Sequence, residues 1–121
     1  MNISVSDYEI LLDNAISAWL APEIEDELAF VNLRSSIDED LTPIDAFVCV
    51  EKTARRLRST DSEYVLIQLI ETILSLARRA DTTELSEFSE ELFIELESRF
   101  QSLGDYAKSK YAELKKYYRF K

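Results

Sequence analysis

Apolar residues recur at three- and four-residue steps along most of this chain, the spacing of helices that bury one face. The clearest stretch is residues 60–80, where apolar side chains leave only a narrow polar strip. A helix of this kind is normally surrounded by others, so this fourth predicted helix is the expected centre of the fold. Only one Gly and two Pro interrupt the pattern, which argues against the frequent turns of a sheet. The sequence therefore predicts a compact all-α bundle of five to six helices, forming one domain over residues 1–121.

Start signals place the first three helices. Ser6 and Glu9 have capping-box spacing, and the apolar stripe that follows consists of Tyr8, Leu11, Leu12, Ala15, Ile16 and Trp19. Pro22 suits the first turn of a second helix that ends near Arg34, with an apolar stripe of Ile24, Leu28 and Val31. Residues 35–41 are predicted to be a polar link. Thr42, Pro43 and Asp45 then begin a third helix that ends near Arg58; a short strand at residues 47–50 is the alternative.

The second half of the chain predicts three further helices. The fourth begins within residues 59–63 and reaches Ala80. Asp81 and Glu84 have capping-box spacing and begin a fifth helix that ends near Leu103, with a buried stripe of Leu85, Phe88, Leu92, Leu96, Phe100 and Leu103. Gly104 follows directly and suits the left-handed residue just past a helix end. A sixth helix runs from Asp105 to about Tyr118, with Tyr111, Leu114 and Tyr118 on one face.

Charge is unevenly distributed along the chain. It carries 14 Lys and Arg against 24 Asp and Glu, a formal net charge of −10. Residues 1–103 have a net charge of −14, whereas residues 104–121 have a net charge of +4. A charge of this size bears on partners and association rates more than on the fold. It indicates that the molecule meets a positively charged surface.

The residue types that are scarce narrow the possible chemistry. The chain has no His, one Gly and one Cys, so it lacks the commonest general base, a zinc set of Cys and His and a glycine-rich phosphate loop. An EF-hand loop counted from Asp38 would place Pro43 and Cys49 where Gly and Glu are needed. Cys49 lies in an apolar run and is expected to be a small buried residue. Paired carboxylates remain a route to acid–base catalysis, but we predict no enzyme activity, metal or other cofactor.

Two groups of acidic residues are the candidate partner-binding sites. The first is Glu84, Glu87, Glu91 and Glu95, whose spacing aligns four carboxylates on one face of the fifth helix. The second is Glu23, Glu25, Asp26 and Glu27, in the densely acidic first third of the chain. Like charges at helical spacing slightly destabilise a helix, so a contribution to solubility does not by itself explain this arrangement of carboxylates. A solvated charged face is the alternative for each group.

Two basic groups have explanations within the chain itself. The first ends the third helix, where it either favours the helix dipole or receives acidic side chains from the first two helices: Lys52, Arg55, Arg56 and Arg58. The second lies among aromatic residues in the last segment: Lys108, Lys110, Lys115, Lys116, Arg119 and Lys121. Basic and aromatic residues together can bind single-stranded nucleic acid, but the net charge of −14 on the rest of the chain opposes a polyanion. We expect the last segment to dock onto the acidic body or to fray, with no direct contact to nucleic acid.

In size, acidity, helicity and lack of catalytic groups, the chain is similar to small acidic bacterial immunity proteins, which bind and block a basic toxin, often a nuclease. The similarity implies a non-enzymatic protein that occludes a basic protein partner. The alternative is a helical adaptor or regulatory protein that self-associates as a homodimer by exchanging its acidic body and basic last helix. The chain shows no signal-peptide pattern and no apolar run of membrane-spanning length, so a cytoplasmic location without a membrane partner is expected.

Overall fold

The computed structural model describes residues 3–20 and 27–118, and these residues form six helices. The helices are α1 (Val5–Leu20), α2 (Ala29–Asp40), α3 (Pro43–Ser59), α4 (Glu63–Ala80), α5 (Glu87–Gln101) and α6 (Asp105–Tyr118). The described ranges contain no strand, and residues 47–50 lie within α3. The predicted all-α bundle is therefore confirmed, and the alternative of a short strand is wrong. None of the helices in these ranges combines the length and apolar character needed to cross a membrane.

Helix α4 occupies the centre of the bundle, as its apolar circumference predicts. It packs most extensively against α3 and also contacts α1, α2 and α6. Its buried side chains point to nearly every side of the helix: Val65, Leu66, Ile67, Leu69, Ile70, Thr72, Ile73, Leu74, Leu76 and Ala77. Helix α5 forms an outer layer, because its main contacts are with α3 and α6.

Side-chain caps define the starts of α3 and α4 where the sequence predicts them. The Thr42 hydroxyl oxygen accepts from the Asp45 backbone N–H at 3.2 Å, and Pro43 occupies the first turn of α3. The Ser62 hydroxyl oxygen accepts from the Val65 N–H at 3.3 Å. Each bond satisfies a backbone donor that has no partner inside the helix. These two predicted starts are confirmed.

The capping box of α1 lies two residues before the predicted one. The Ser4 hydroxyl accepts from the Asp7 N–H at 3.0 Å, and the Asp7 carboxylate accepts from the Ser4 N–H at 3.2 Å. Ser6 and Glu9 have the same spacing but lie inside the helix. Glu9 instead pairs with Arg56 of α3 at 3.0 Å. Two overlapping motifs fit the start of this helix, and the tertiary pairing uses the carboxylate of the second.

Helix α2 extends beyond its predicted end. Pro22, its predicted first residue, lies outside the described residues, and the helix continues past Arg34 to Asp40. The reason is its buried stripe of Phe30, Leu33 and Ile37, which runs into the region predicted as a polar link. Leu28 and Val31, expected on the buried side, are 59% and 48% exposed. Leu28 and Val31 were therefore assigned to the wrong face, while Ile24 lies outside the described residues. The predicted link at residues 35–41 is wrong, because residues 35–40 are helical.

Helix α5 begins later than predicted, because Asp81 ends α4 instead of starting α5. Asp81 has a left-handed backbone, with φ 56° and ψ 44°, and its N–H donates to the Ala77 carbonyl at 3.0 Å. Residues 82–86 follow without helical structure. The Ser86 hydroxyl then caps α5 by accepting from the Ser89 N–H at 3.2 Å. Asp is one of the few non-glycine residues that tolerate the left-handed conformation, so its side chain signalled the wrong end of a helix.

Gly104 is not left-handed, contrary to the sequence prediction, since the described residues include no glycine with positive φ. It marks a close approach instead. Its N–H donates to the Glu63 carboxylate at 2.6 Å, and a Cβ at this position would lie 3.3 Å from the same oxygen. The bond links the start of α6 to the start of α4.

We predict that replacing Ile70 by Ala lowers the free energy of unfolding by about 2 to 5 kcal/mol, because a fully buried side chain on the central helix leaves a cavity. The matched control is Ile10→Ala, at a residue that is 60% exposed on α1, where a change within about 0.5 kcal/mol is expected. Urea unfolding of both variants, followed by circular dichroism, measures the difference. Equal losses in the two variants would contradict a bundle centred on α4.

Candidate functional site

The outward side of α5 presents carboxylates around an exposed apolar residue. The helix is held to the bundle by its buried side chains, Leu92, Phe93, Leu96 and Phe100. Other positions of the helix face solvent, and we call five exposed residues the acidic face: Glu87, Glu90, Glu91, Ile94 and Glu95. The amphipathic spacing of α5 therefore orients this face away from the core.

Ile94 lies among the carboxylates of the acidic face and is 68% exposed. It follows Glu90 by four residues and Glu91 by three, which places these side chains beside it on the helix surface. A single exposed apolar residue is common on protein surfaces. Here it is bordered by charged groups, the arrangement in which an interface anchor is surrounded by a polar rim. Sequence reasoning missed Ile94, although its position off the buried stripe was a usable signal.

The structure places three of the four predicted carboxylates on α5. Glu87, Glu91 and Glu95 repeat every fourth residue along the helix and are all exposed. Glu84 is exposed too, but it lies in the non-helical segment before α5, where its N–H donates to the Thr82 hydroxyl at 3.1 Å. Glu90, which the sequence analysis did not select, joins the row. The predicted alignment of four carboxylates on one helical face is thus wrong for Glu84, because the helix begins at Glu87.

The carboxylates of the acidic face differ in whether a basic side chain pairs with them. Glu95 accepts a hydrogen bond from Arg58 of α3 at 2.7 Å. Within the described part of the chain, Glu87, Glu90 and Glu91 form no ion pair. Adjacent like charges on a helix cost about 0.2 to 0.5 kcal/mol per pair. The face therefore keeps an unfavourable concentration of negative charge at its first two turns.

The second predicted group lies mostly outside the described residues. Glu23, Glu25 and Asp26 fall in residues 21–26, and only Glu27 is described; it is exposed in a turn before α2. The structure therefore adds no geometry for this group as a unit. A further exposed acidic pair, Asp38 and Glu39, lies in the last turn of α2.

Several basic side chains pair with carboxylates of the same molecule. Arg56 donates to Asp13 and Glu9 of α1, each at 3.0 Å, so of the two interpretations of this basic group, pairing with the first helix holds for Arg56. In α6, the Lys110 ammonium lies 3.2 Å from the Glu71 carboxylate, and the hydrogen bond that it donates to Glu71 raises the pKa of Lys110. These pairs use basic groups internally and leave the surface more negative.

Glu97, which follows Ile94 by three residues, joins α5 to α6 at the edge of the acidic face. Its carboxylate accepts from the Lys115 ammonium at 2.8 Å and from the Tyr111 hydroxyl at 2.6 Å. These hydrogen bonds, with Lys115 the stronger influence, lower the pKa of Glu97. Burial, together with the bond to Glu97, raises the pKa of Tyr111. Helix α6 is thus docked onto the acidic body through charged as well as aromatic contacts, the first of the two outcomes that the sequence left open. Arg119 and Lys121 of the basic group lie outside the described residues.

Cys49 is buried in α3, as predicted, and burial raises the pKa of its thiol to about 12. The thiolate is the nucleophilic form, so this side chain is protonated and inert at neutral pH. Over residues 3–20 and 27–118, no group of three or more Cys, Asp and Glu side chains is placed to hold a metal ion. The arrangement on α5 offers charge and apolar contact area for recognition of another molecule.

Comparison of the chain with protein-family models, curated proteins and solved structures gave no match.

We predict that Glu97→Gln lowers the free energy of unfolding at neutral pH by about 0.5 to 1 kcal/mol, because a partly exposed charge pair and its hydrogen bonds weaken. The pKa of Glu97 is lowered by folding, so its contribution is present above the ordinary value of 4.5 and is lost as the pH falls through the folded-state pKa. Unfolding measured from neutral to acidic pH should therefore show a shallower acid dependence in the variant. Glu91→Gln, on the same helix without a pairing partner in the described residues, is the matched control. An unchanged acid dependence in Glu97→Gln would contradict the docking role.

Proposed function

We propose that this protein is a non-enzymatic binding protein that occludes a basic protein partner, most concretely an immunity protein or inhibitor that neutralises a toxin such as a nuclease. The observation that carries the proposal is the acidic face of α5, where Glu90 and Glu91 lie one turn before the exposed Ile94 and Glu87 lies a further turn along, all three without ion pairs in the described part of the chain. A surface with this unfavourable self-repulsion gains most when a positive surface covers it.

Electrostatic steering is the first step of the proposed mechanism. The formal net charge of −10 attracts a basic partner over distances up to the Debye length, about 8 Å in physiological salt. Such attraction raises association rates by about 10- to 1,000-fold. Internal pairing of Arg56, Lys110 and Lys115 supports this step, because these cations cannot then be placed across the acidic face.

Occlusion is the second step. Carboxylates on one face of a helix can occupy the sites in a basic cleft that are meant for substrate phosphates, since both groups accept hydrogen bonds from Arg and Lys. Ile94 supplies an apolar contact at the centre, where exclusion of water strengthens the surrounding charge pairs. Such a protein needs no catalytic group of its own, because blocking access to the partner's site is sufficient.

We predict that the double change Glu87→Lys and Glu91→Lys weakens binding to the partner by about 100-fold or more, because attraction becomes repulsion at the contact surface. The partner is first captured from the native source with the tagged chain, then purified and measured by calorimetry and stopped-flow mixing. Association of the unchanged protein should slow markedly between about 0.01 M and about 0.15 M salt.

The matched control is Asp38→Lys with Glu39→Lys, which makes the same change in net charge on the exposed end of α2. This control should reduce the association rate through long-range charge alone and leave the dissociation rate near its original value. Equal effects of the two double variants on dissociation would remove α5 from the interface. A captured partner that is acidic, or binding that does not depend on salt, would overturn the proposed function.

We predict that Ile94→Ala weakens the same complex by about 1 to 3 kcal/mol in binding free energy and raises mainly the dissociation rate, as expected of a central apolar anchor. Its effect on unfolding should be within about 0.5 kcal/mol, because the side chain is largely exposed in the free protein. Val31→Ala, at a partly exposed position on α2, is the comparison variant. Similar dissociation rates for the two variants would show that Ile94 is not an anchor.

Self-association is the second candidate, and one observation favours it. Lys108 and Lys116 are exposed on α6, eight residues apart, as Glu87 and Glu95 are on α5. The exposed lysines of α6 in one copy could therefore pair with the carboxylates of α5 in a second copy. Lys110 and Lys115 are not free for this contact, because they are already paired within one chain. Sedimentation of the purified chain distinguishes the two functions, since a dimer broken by Lys108→Glu and Lys116→Glu would favour the adaptor.

A further inference from the structure

A cleft of about 400 Å³ lies beside the starts of α4 and α6, where the Gly104 N–H donates to the Glu63 carboxylate, and away from the acidic face. Trp19, in the last turn of α1, lines it together with Tyr64 and Tyr106 from the two helix starts. Ile67 and Ala107 are buried side chains that also line the cleft. The lining is therefore mainly aromatic and apolar, at a place where three helices meet.

The two tyrosines of the cleft are unusually open to solvent. Tyr64 is 73% exposed and Tyr106 is 60% exposed, although each belongs to the first turn of a helix whose later residues are buried. Aromatic rings normally bury much of their apolar surface in the folded protein, and these two do not. Exposed aromatic rings on the walls of a cleft offer faces that attract a cation. The structure already contains one such contact, because the Lys110 ammonium lies 5.5 Å from the centre of the Tyr106 ring.

The charge of the cleft is negative. Glu63 and Asp105 line it, and no Lys or Arg is among the lining residues that the structure describes. Both carboxylates lie in the first turns of their helices, where each helix contributes a partial positive charge of about one half. Two full negative charges exceed this contribution. Two cations lie nearby, and carboxylates offset both. The Lys110 ammonium is 3.2 and 3.4 Å from Glu71 and Glu113. Arg34, which donates to the lining residue Gln68 at 2.8 Å, lies 3.8 Å from Glu71.

We propose that this cleft receives a single Lys or Arg side chain presented by a protein partner. The aliphatic stem would pack on the apolar lining, and the charged end would lie against the tyrosine rings within reach of Glu63 and Asp105. A long basic side chain suits this combination, since its stem is apolar and its end is cationic. The inference rests on the proposed function for the identity of the partner, but the chemistry of the cleft can be tested without that partner.

The experiment titrates the full chain, isotopically labelled, with Nα-acetyl-arginine amide and follows the protein by NMR. The control probe is Nα-acetyl-citrulline amide, which has nearly the same shape without the charge. We expect saturable shifts of the signals of Trp19, Tyr64 and Tyr106 with the arginine probe, and binding of the citrulline probe weaker by about threefold or more. Equal binding of the two probes, or arginine-induced shifts confined to other surfaces, would overturn the proposal.

Ala and Phe variants of the two tyrosines distinguish the loss of an aromatic ring from a loss of folding. Tyr64→Ala and Tyr106→Ala should each weaken the arginine probe by about threefold to tenfold, whereas Tyr64→Phe and Tyr106→Phe retain the ring face and should bind nearly as before. Asp105→Asn should weaken binding by about twofold or more through loss of charge, and Asp38→Asn on α2 should leave it unchanged. Circular dichroism establishes that the variants remain helical. Equal effects of the Ala and Phe variants would overturn the role of the rings.

The two proposals can fail separately. Loss of the arginine probe in Tyr106→Ala, together with unchanged partner binding by the charge-reversed α5, would reject the proposed function of the acidic face and retain the cleft. Normal partner binding that depends on α5, together with no arginine binding in the cleft, would reject the cleft alone.

Discussion

Helix α4 leaves almost no side for solvent, so its neighbours must supply apolar surface all around it. Helix α3 provides most of that cover, and α1, α2 and α6 complete it. Because the places beside α4 are filled, α5 packs on α3 and α6 as an outer layer. An outer helix needs only one buried stripe, which leaves the opposite side free to carry charge. The exposed acidic face is in this sense a consequence of the crowded centre.

The ion pairs divide the charged residues into two classes. Basic side chains on α3 and α6 pair with carboxylates on neighbouring helices, as Arg56 does with α1 and Lys115 does with α5. Carboxylates greatly outnumber these partners, so the excess acidic groups collect on outward surfaces. Partly exposed pairs of this kind add little stability individually. Their larger effect is on the sign of the surface that another molecule meets.

The sequence was sufficient for the helical class, the central helix and the capped starts of α3 and α4, because strong local signals agree there with the packing. The prediction failed where one sequence pattern is compatible with two different local structures. Asp81 has the residue type of a helix start and also tolerates the left-handed end of the preceding helix. In α2, the stripes through Leu28 and through Phe30 both have helical spacing, and only tertiary burial selects the second. The acidic face was predicted in part, since its residues depended on where α5 begins.

The end of α4 shows how local structure and distant packing are joined. The Ala77 carbonyl accepts from the Asp81 N–H at 3.0 Å and from the Tyr117 hydroxyl of α6 at 3.1 Å. Movement of α6 away from the bundle removes one of these donors and exposes the last turn of the central helix to water. The packing of α6 and the last turn of α4 are therefore coupled through this carbonyl. A partner that holds α6 in place would slow amide hydrogen exchange at the end of α4, far from its own contacts.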